Sequence, residues 1–331
     1  MRVAVFDSKR FDRTTLEAAN QSVGHELVFF EERLGAHTAP LAEDFDVVCP
    51  FVNDRLDHKT ICRLAKLGVK LIALRCAGFN GVDLAAAAEF GIAVTRVPAY
   101  SPEAVAEHVF ALLLTLSRKT HRAYNRVREG NFLLEGLEGF NLHGKTFGIL
   151  GAGKIGLATA RIARGFGCTV LVYDPFPPAH CDVNCTFMSQ EEVMARADII
   201  SLHTPLLEST HHMLNPHSIA TMKKGVVIIN TSRGGLIDTK AAIAALKSGQ
   251  IGGLGLDVYE HEEGVFFEDL SDSVLKDDTL ARLTTFPNVL ITSHQGYLTD
   301  EALKNIANTT LQNISDFAAG LPLVNEVKTA L

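Results

Sequence analysis

Short apolar runs alternate with amphipathic stretches along almost the whole chain. Residues 2–6, 26–30, 46–49 and 69–74 are nearly continuous apolar runs, the pattern of strands buried on both faces. Between them, 14–21, 56–66 and 84–90 read as helices. Strands that alternate with helices are joined by crossovers, so the pattern predicts a doubly wound α/β unit around a parallel sheet. After Val97-Pro98-Ala99-Tyr100 the pattern changes. Ser101-Pro102-Glu103 offers a capping hydroxyl, a pre-set φ and an acid in the first turn, and predicts a helix from there to about Val127. A Gly- and Asn-rich loop over 129–143 leads into a strand at 145–150, which opens a second regular series. Strands are expected at 169–173, 198–202, 226–230, 253–257 and 289–292, then a last helix from Asp300 to about Ala319. The expected division is a discontinuous domain, 1–99 plus 297–331, around a second at 100–296. A cleft and its hinges are expected near Pro98-Ser101 and Gly296-Leu298, because ligands in open α/β sheets bind beyond the carboxyl ends of the strands.

The chain has 331 residues, enough for two such domains, each with its own core. Its net charge of -7 provides no basic stripe and argues against a nucleic-acid surface. It leaves room for a small anion, since one buried Arg binds a carboxylate whatever the total charge. No segment is long and apolar enough to span a bilayer. Asp7 interrupts the apolar start of the chain, so no leader peptide is expected and a cytoplasmic location is. Six scattered cysteines are expected to remain thiols. Cys181 and Cys185, beside His180, have no second Cys/His pair to complete a metal site, so no metal is expected.

Chemistry enters at Gly151-Ala152-Gly153-Lys154-Ile155-Gly156, which follows a predicted strand and opens a predicted helix. In that context the spacing is a dinucleotide-binding signal. Gly151 permits the tight turn, Gly153 lets the backbone approach a pyrophosphate, and Gly156 lets helix and strand pack closely. The helix N-terminus adds free N–H donors and a favourable dipole. The next strand ends in Asp174, whose carboxylate suits ribose hydroxyls and repels a 2′-phosphate. No Lys or Arg follows within six residues, so NAD is expected rather than NADP.

Three later strand ends carry polar groups: Asn230-Thr231-Ser232-Arg233, Asp257-Val258-Tyr259-Glu260-His261-Glu262 and Ser293-His294-Gln295-Gly296. Parallel strands share a direction, so all three open on the edge that holds the glycine loop. These residue types suit oxidation of a 2-hydroxy acid. Arg233 offers a planar fork for a carboxylate. His294 can take the hydroxyl proton as hydride leaves, and a carboxylate beside it favours the imidazolium. On residue types alone, Glu260, His261 and Glu262 all remain candidates for that neighbour.

Along essentially its whole length the chain resembles the D-2-hydroxyacid dehydrogenase family, and within it the fermentative NAD-dependent D-lactate branch. The residues that carry the resemblance are Arg75-Cys76-Ala77-Gly78-Phe79-Asn80, 97–108, the glycine loop, Asn230-Thr231-Ser232-Arg233-Gly234, Leu256-Asp257-Val258-Tyr259-Glu260 and Phe266-Phe267-Glu268-Asp269. The resemblance implies a flavodoxin-like substrate domain and a Rossmann NAD domain, with pyruvate and D-lactate as the 2-keto and 2-hydroxy acids. It implies Arg233 as the group that binds the substrate carboxylate, His294 as the acid/base and Glu262 as its partner. Backbone N–H groups near Ala77 and Gly78 complete the carboxylate site, Tyr100 lines it, and Tyr297 reaches the substrate side chain. Toward the cofactor it implies Thr204, Pro205, Thr231 and Ser232, with Asp257 on the nicotinamide carboxamide. A homodimer or homotetramer, with the helix after Tyr100 at its interface, is implied as well. Gly296-Tyr297 departs from the Ala-Phe that relatives often carry, which bears on the substrate side chain rather than on turnover.

Overall fold

The computed structural model describes residues 1–328, and the chain divides into two compact units. The first comprises Met1–Ser101 and the described segment from Tyr297 onward; the second is Pro102–Gly296.

The first unit is one parallel sheet in the order β2-β1-β3-β4-β5. Its strands are β1 (Arg2–Val5), β2 (Glu26–Phe29), β3 (Val47–Cys49), β4 (Leu71–Ala73) and β5 (Ala93–Thr95). Alternate residues point to opposite faces. Val3, Val5, Val47 and Leu71 pack against helix α1 (Arg10–Asn20) and the C-terminal helix Asp300–Ala318 through Leu16, Ala307, Leu311 and Ile314. Ala4, Val48 and Ile72 pack against α2 (His58–Lys66) and α3 (Leu84–Glu89) through Ile61, Leu64, Ala86 and Ala87. Helices α2 and α3 begin where the sequence supplies a cap. The Asp57 and Asp83 carboxylates accept the Thr60 and Ala86 N–H groups, each cap contributing about 1 kcal/mol. Arg75, wholly buried just past β4, is satisfied from several sides. It donates to the Asp12 carboxylate (3.2 Å) and to the Cys49 and Asp7 carbonyls (3.0 and 2.8 Å), and lies over the Phe51 ring.

The second unit is a seven-stranded parallel sheet in the order β12-β11-β10-β9-β6-β7-β8. Its strands are β6 (Thr146–Leu150), β7 (Thr169–Tyr173), β8 (Thr186–Phe187), β9 (Ile199–Leu202), β10 (Val226–Asn230), β11 (Ile251–Leu256) and β12 (Val289–Ile291). Helices α4 (Pro102–Arg118) and α6 (Lys154–Gly165) cover one face through Val109, Phe110, Leu113, Ala160 and Ala163; α5 (Thr120–Arg128) follows α4. Helices α7 (Gln190–Arg196), α8 (Pro216–Thr221), α9 (Thr239–Ser248) and α10 (Asp278–Thr284) cover the other. Strand order reverses between β6 and β9, the switch point at which open α/β sheets bind their ligands.

Two features differ from the sequence expectation. The single helix expected to reach Val127 is two, α4 and α5, broken at Lys119 with φ +51. No Gly or Pro marks the break. Gly139 comes back onto the end of α4 so closely that a Cβ there would lie 2.0 Å from the Ser117 carbonyl oxygen. The second difference is the pair of short strands β5 and β8, which are three and two residues long. Runs that short carry no periodicity of their own. Among the described residues no helix is long and apolar enough to cross a membrane.

Candidate active site

The glycine loop joins β6 to α6 at the switch point. Gly151 has φ +110, and a Cβ on it would lie 2.6 Å from the His203 carbonyl at the end of β9. The loop therefore seats directly on the neighbouring strand end. A Cβ on Gly156 would lie 1.9 Å from the Gly151 carbonyl oxygen, so helix and strand meet only because that side chain is absent. Gly153 caps α6, is exposed, and has open space around its missing Cβ. Lys154 is exposed and Ile155 half-buried beside it. These features fit a dinucleotide pyrophosphate laid over the N-terminus of α6. A second observation agrees: the Thr231 hydroxyl, past the end of β10, is buried without a hydrogen-bond partner among the described residues. Nearby, Ser232 Oγ donates to the Thr204 carbonyl at 2.7 Å, which ties the ends of β10 and β9 together, with Pro205 exposed next to it.

Asp174 does more than the sequence indicates. Its Oδ2 accepts the Ala152 N–H (2.6 Å) and its Oδ1 the Phe176 N–H (2.8 Å). It clamps the glycine loop while keeping a lone pair on each oxygen. Asp174→Ala should raise KM for NADH and narrow the preference for NADH over NADPH by roughly 10- to 100-fold, the loss of one or two charge-assisted bonds. The check is kcat/KM for the two cofactors. An unchanged ratio would place the ribose elsewhere.

The three polar strand ends open on one edge, as parallel strands require. At β12, His294 has φ +51, and its N–H donates to the Asp257 carbonyl at 2.7 Å. A left-handed His is strained, and such strain gathers at functional sites. Its Nδ1 lies 3.1 Å from Glu262 Oε1, with both side chains largely buried. A carboxylate only accepts, so Nδ1 carries the proton and Nε2 is left for a ligand. The Tyr259 N–H holds the other Glu262 oxygen at 3.3 Å, and the Tyr259 hydroxyl donates to Asp277, the cap of α10, at 2.8 Å. Of the three candidate neighbours, Glu262 is the one beside His294. Glu260 is bound to His212 (2.6 Å) and Thr239 (2.8 Å), and His261 is exposed against the Tyr259 ring.

Arg233 is half-buried. Its NH1 donates to the Ser232 carbonyl at 2.6 Å, and no carboxylate pairs with it among the described residues. A half-buried guanidinium with donors to spare is suited to an anion such as a carboxylate.

Asp257 is nearly sealed. Oδ1 accepts Thr292 Oγ1 (2.6 Å) and the Gln295 N–H (2.8 Å), with His108 Nε2 at 3.2 Å, and Oδ2 accepts the Gly296 N–H (2.8 Å). Burial opposes ionisation, but the bonds from His108, Thr292 and Gln295 outweigh it and hold the carboxyl down at about 2. Oδ2 keeps the larger free capacity. His108 and Thr292 were not foreseen. Both are ordinary residues of a helix and a strand end, and only the fold brings them to Asp257. Gly296 also faces this carboxylate: a Cβ would lie 3.0 Å from Oδ2.

In the first unit, Ala77 and Gly78 sit in the half-buried loop after β4, and neither N–H donates to a described residue. Arg96 NH1 fixes the Ala77 carbonyl at 3.1 Å. Tyr100 and Tyr297 meet edge to face at 6.2 Å, and burial, with Asp12 nearby, pushes the Tyr297 hydroxyl well above its usual range.

Residues 110–296 match the family described as "D-isomer specific 2-hydroxyacid dehydrogenase, NAD binding domain". The chain is 50% identical to a D-lactate dehydrogenase of Escherichia coli over 328 residues, 99% of this chain and 100% of that protein. It is 52% identical to a 2-hydroxyacid dehydrogenase homolog of Haemophilus influenzae over 321 residues, 97% of each. Among solved structures, one described as the pyruvate reductase of Chlamydomonas reinhardtii superposes with a TM-score of 0.93 at 47% identity, covering 98% of both chains.

Proposed function

The chain belongs to the D-isomer-specific 2-hydroxyacid dehydrogenase family and carries its NAD binding domain, and we propose that it interconverts pyruvate and D-lactate. One observation carries the reading: the His294–Glu262 couple opens on the same edge of the NAD-binding sheet as a half-buried Arg233 with no described counter-ion. Arg233 binds the carboxylate and keto oxygen of the substrate. The family resemblance assigns the Ala77 and Gly78 N–H groups and Tyr100 to the substrate carboxylate, and Tyr297 to the substrate side chain. Bound as NADH, the cofactor supplies the hydride for reduction and, as NAD, accepts it in oxidation. When bound it would be held by Gly151, Gly153, Lys154, Ile155, Gly156 and Asp174, by Thr204, Pro205, Thr231 and Ser232, and by Asp257. His294 holds the proton at Nε2 and delivers it to the keto oxygen during reduction; in the reverse direction it takes the hydroxyl proton. Glu262 fixes the ring through Nδ1 and balances the imidazolium charge.

The relatives named for lactate and pyruvate support the substrate assignment. The test is a steady-state panel of pyruvate, glyoxylate, hydroxypyruvate and phenylpyruvate with NADH. Pyruvate should give the highest kcat/KM, and the product should be the D isomer on a chiral column. Absence of turnover with every acid, or an L product, would sink the reading. We also assign the enzyme to the cytoplasm, as a homodimer or homotetramer. Exposed Phe132, Leu133 and Leu134, beyond α5, support self-association, which light scattering on the purified chain reads directly.

A further inference from the structure

Apart from the groups assigned to the reaction, the second unit brings His211, His212 and Glu260 together, with one ligand atom from each inside a 4.8 Å span. We propose that these three side chains bind one divalent transition-metal ion, of which zinc is the type, with water completing the coordination. Nothing in the sequence alone leads to this. The vicinal histidines become a candidate only when the fold carries Glu260, from the turn after β11, up to the loop after β9.

Several features mark the cluster as more than a chance meeting of surface groups. Glu260 is largely buried, with 16% of its side chain exposed. Its Oε2 accepts the Thr239 hydroxyl (2.8 Å) and N–H (3.3 Å) at the start of α9, while Oε1 faces His212 Nε2 at 2.6 Å. A carboxylate held from behind with its other oxygen presented is the arrangement that orients a metal ligand. His212 has φ +50, a left-handed backbone. It is held there because its N–H donates to the Gly235 carbonyl (2.9 Å) and its carbonyl accepts Asn215 Nδ2 (3.0 Å). That strained conformation places the ring against Glu260. The third ligand is adaptable. His211 is exposed, its backbone N–H is tied to the Leu207 carbonyl at 2.8 Å, and its ring stacks on His212 with centroids 3.9 Å apart. Ligand atoms in a tetrahedral zinc site lie roughly 3.3 Å apart, given metal–ligand bonds of about 2.0–2.1 Å. The His212–Glu260 pair, at 2.6 Å, must therefore open by about 0.7 Å, and the widest separation must close by about 1.5 Å, a movement the exposed His211 side chain supplies by rotating.

The donor set decides the class of ion. Two imidazoles and one carboxylate suit zinc, cobalt, nickel or copper, whereas magnesium and calcium want oxygen alone. Imidazole and carboxylate ligate a metal only when deprotonated, so protons compete with the ion and affinity should fall as pH falls. The site also touches the reaction machinery. The Gly234 backbone presses on this turn so closely that a Cβ would lie 2.0 Å from the Tyr259 carbonyl carbon. Gly234 follows Arg233, and the turn goes on to Glu262. An ion at Glu260 therefore stiffens the segment that carries Glu262.

The test is calorimetric titration of the full-length, untagged chain with zinc, repeated with cobalt for its visible spectrum. One ion per chain is expected, with a cobalt spectrum typical of low coordination number, a raised melting temperature, weaker binding at pH 6 than at pH 8, and no response to magnesium. His211→Ala should weaken binding on the order of 10- to 100-fold and leave metal-free turnover unchanged, because His211 takes no part in the reaction. Cys181→Ser should bind as wild type does; the Cys181 and Cys185 sulfurs, 3.8 Å apart, are the competing donors. No binding, binding that survives His211→Ala, or binding lost in Cys181→Ser would each overturn the proposal.

Discussion

His294→Ala is expected to bind NADH normally and to reduce pyruvate roughly 10²- to 10⁴-fold more slowly, the usual worth of a positioned general acid. As hydride reaches the keto carbon, the keto oxygen becomes an alkoxide unless a proton arrives with it. On the proposed function His294 supplies that proton from Nε2, with Glu262 at 3.1 Å holding Nδ1. The backbone at this position is left-handed, a region Ala enters less readily than Asn. His294→Asn is therefore the companion variant: it tolerates the conformation and has no group able to act as the acid. Both variants should show the same fall in kcat with NADH affinity, read by cofactor fluorescence, close to wild type. Glu262→Gln should fall less, roughly 10- to 100-fold, since it removes one charge-assisted bond and leaves the acid in place. A His294→Asn enzyme within about threefold of wild type would remove His294 from the proton path.

The two sheets were legible in the sequence because strands covered on both faces appear as unbroken apolar runs. Val226–Asn230 and Thr169–Tyr173 fall where the pattern puts them. Elsewhere the ends shift by a residue or two, as in β4, shorter than the 69–74 run that predicts it. The illegible parts depend on contacts between distant residues. The break at Lys119 has no local signal, and it lies beside a contact between residues distant in the chain, Gly139 against the Ser117 carbonyl. Strands β5 and β8 exist because a neighbouring strand offers pairing: β4 for Ala93–Thr95, β7 for Thr186–Phe187.

The site divides in the same way. Gly151, Gly153 and Gly156 announce themselves by spacing between a strand and a helix. Arg233 and His294 announce themselves by standing at strand ends, where parallel strands must gather their termini. Residue types alone left the choice among Glu260, His261 and Glu262 open, because adjacent residues in a turn point in different directions and no periodicity ranks them; it was the family resemblance that pointed to Glu262. In the fold, Glu262 reaches His294 while Glu260 turns away to His212 and Thr239. The carboxylate of Asp257 is likewise stabilised by His108 from α4 and Thr292 from beyond β12, partners far apart in the chain. Residue type at a strand end can therefore be read directly, but the hydrogen bonds that set its charge and aim cannot.

Arg233→Lys should lower kcat/KM for pyruvate roughly 10- to 100-fold or more, although it preserves the charge. The guanidinium spends one donor on the Ser232 carbonyl at 2.6 Å and is paired with no carboxylate among the described residues, so the rest of its fork remains for the substrate. Two parallel bonds to a carboxylate need a planar pair of donors at fixed spacing. A Lys ammonium is a point charge on a flexible stem and reproduces at most one of them. Losing one charge-assisted bond costs roughly 1.5–3 kcal/mol, and that sets the range. The split between KM and kcat then locates the missing bond. A substrate carboxylate carries the same charge in the ground state and the transition state, so a bond to it is uniform binding and its loss raises KM alone. A keto oxygen gains charge only as hydride arrives, so a bond to it tightens in the transition state and its loss lowers kcat. An Arg233 that serves both atoms predicts a variant with KM raised and kcat lowered together. Arg233→Lys within about a factor of two of wild type in kcat/KM would mean that another cation holds the substrate.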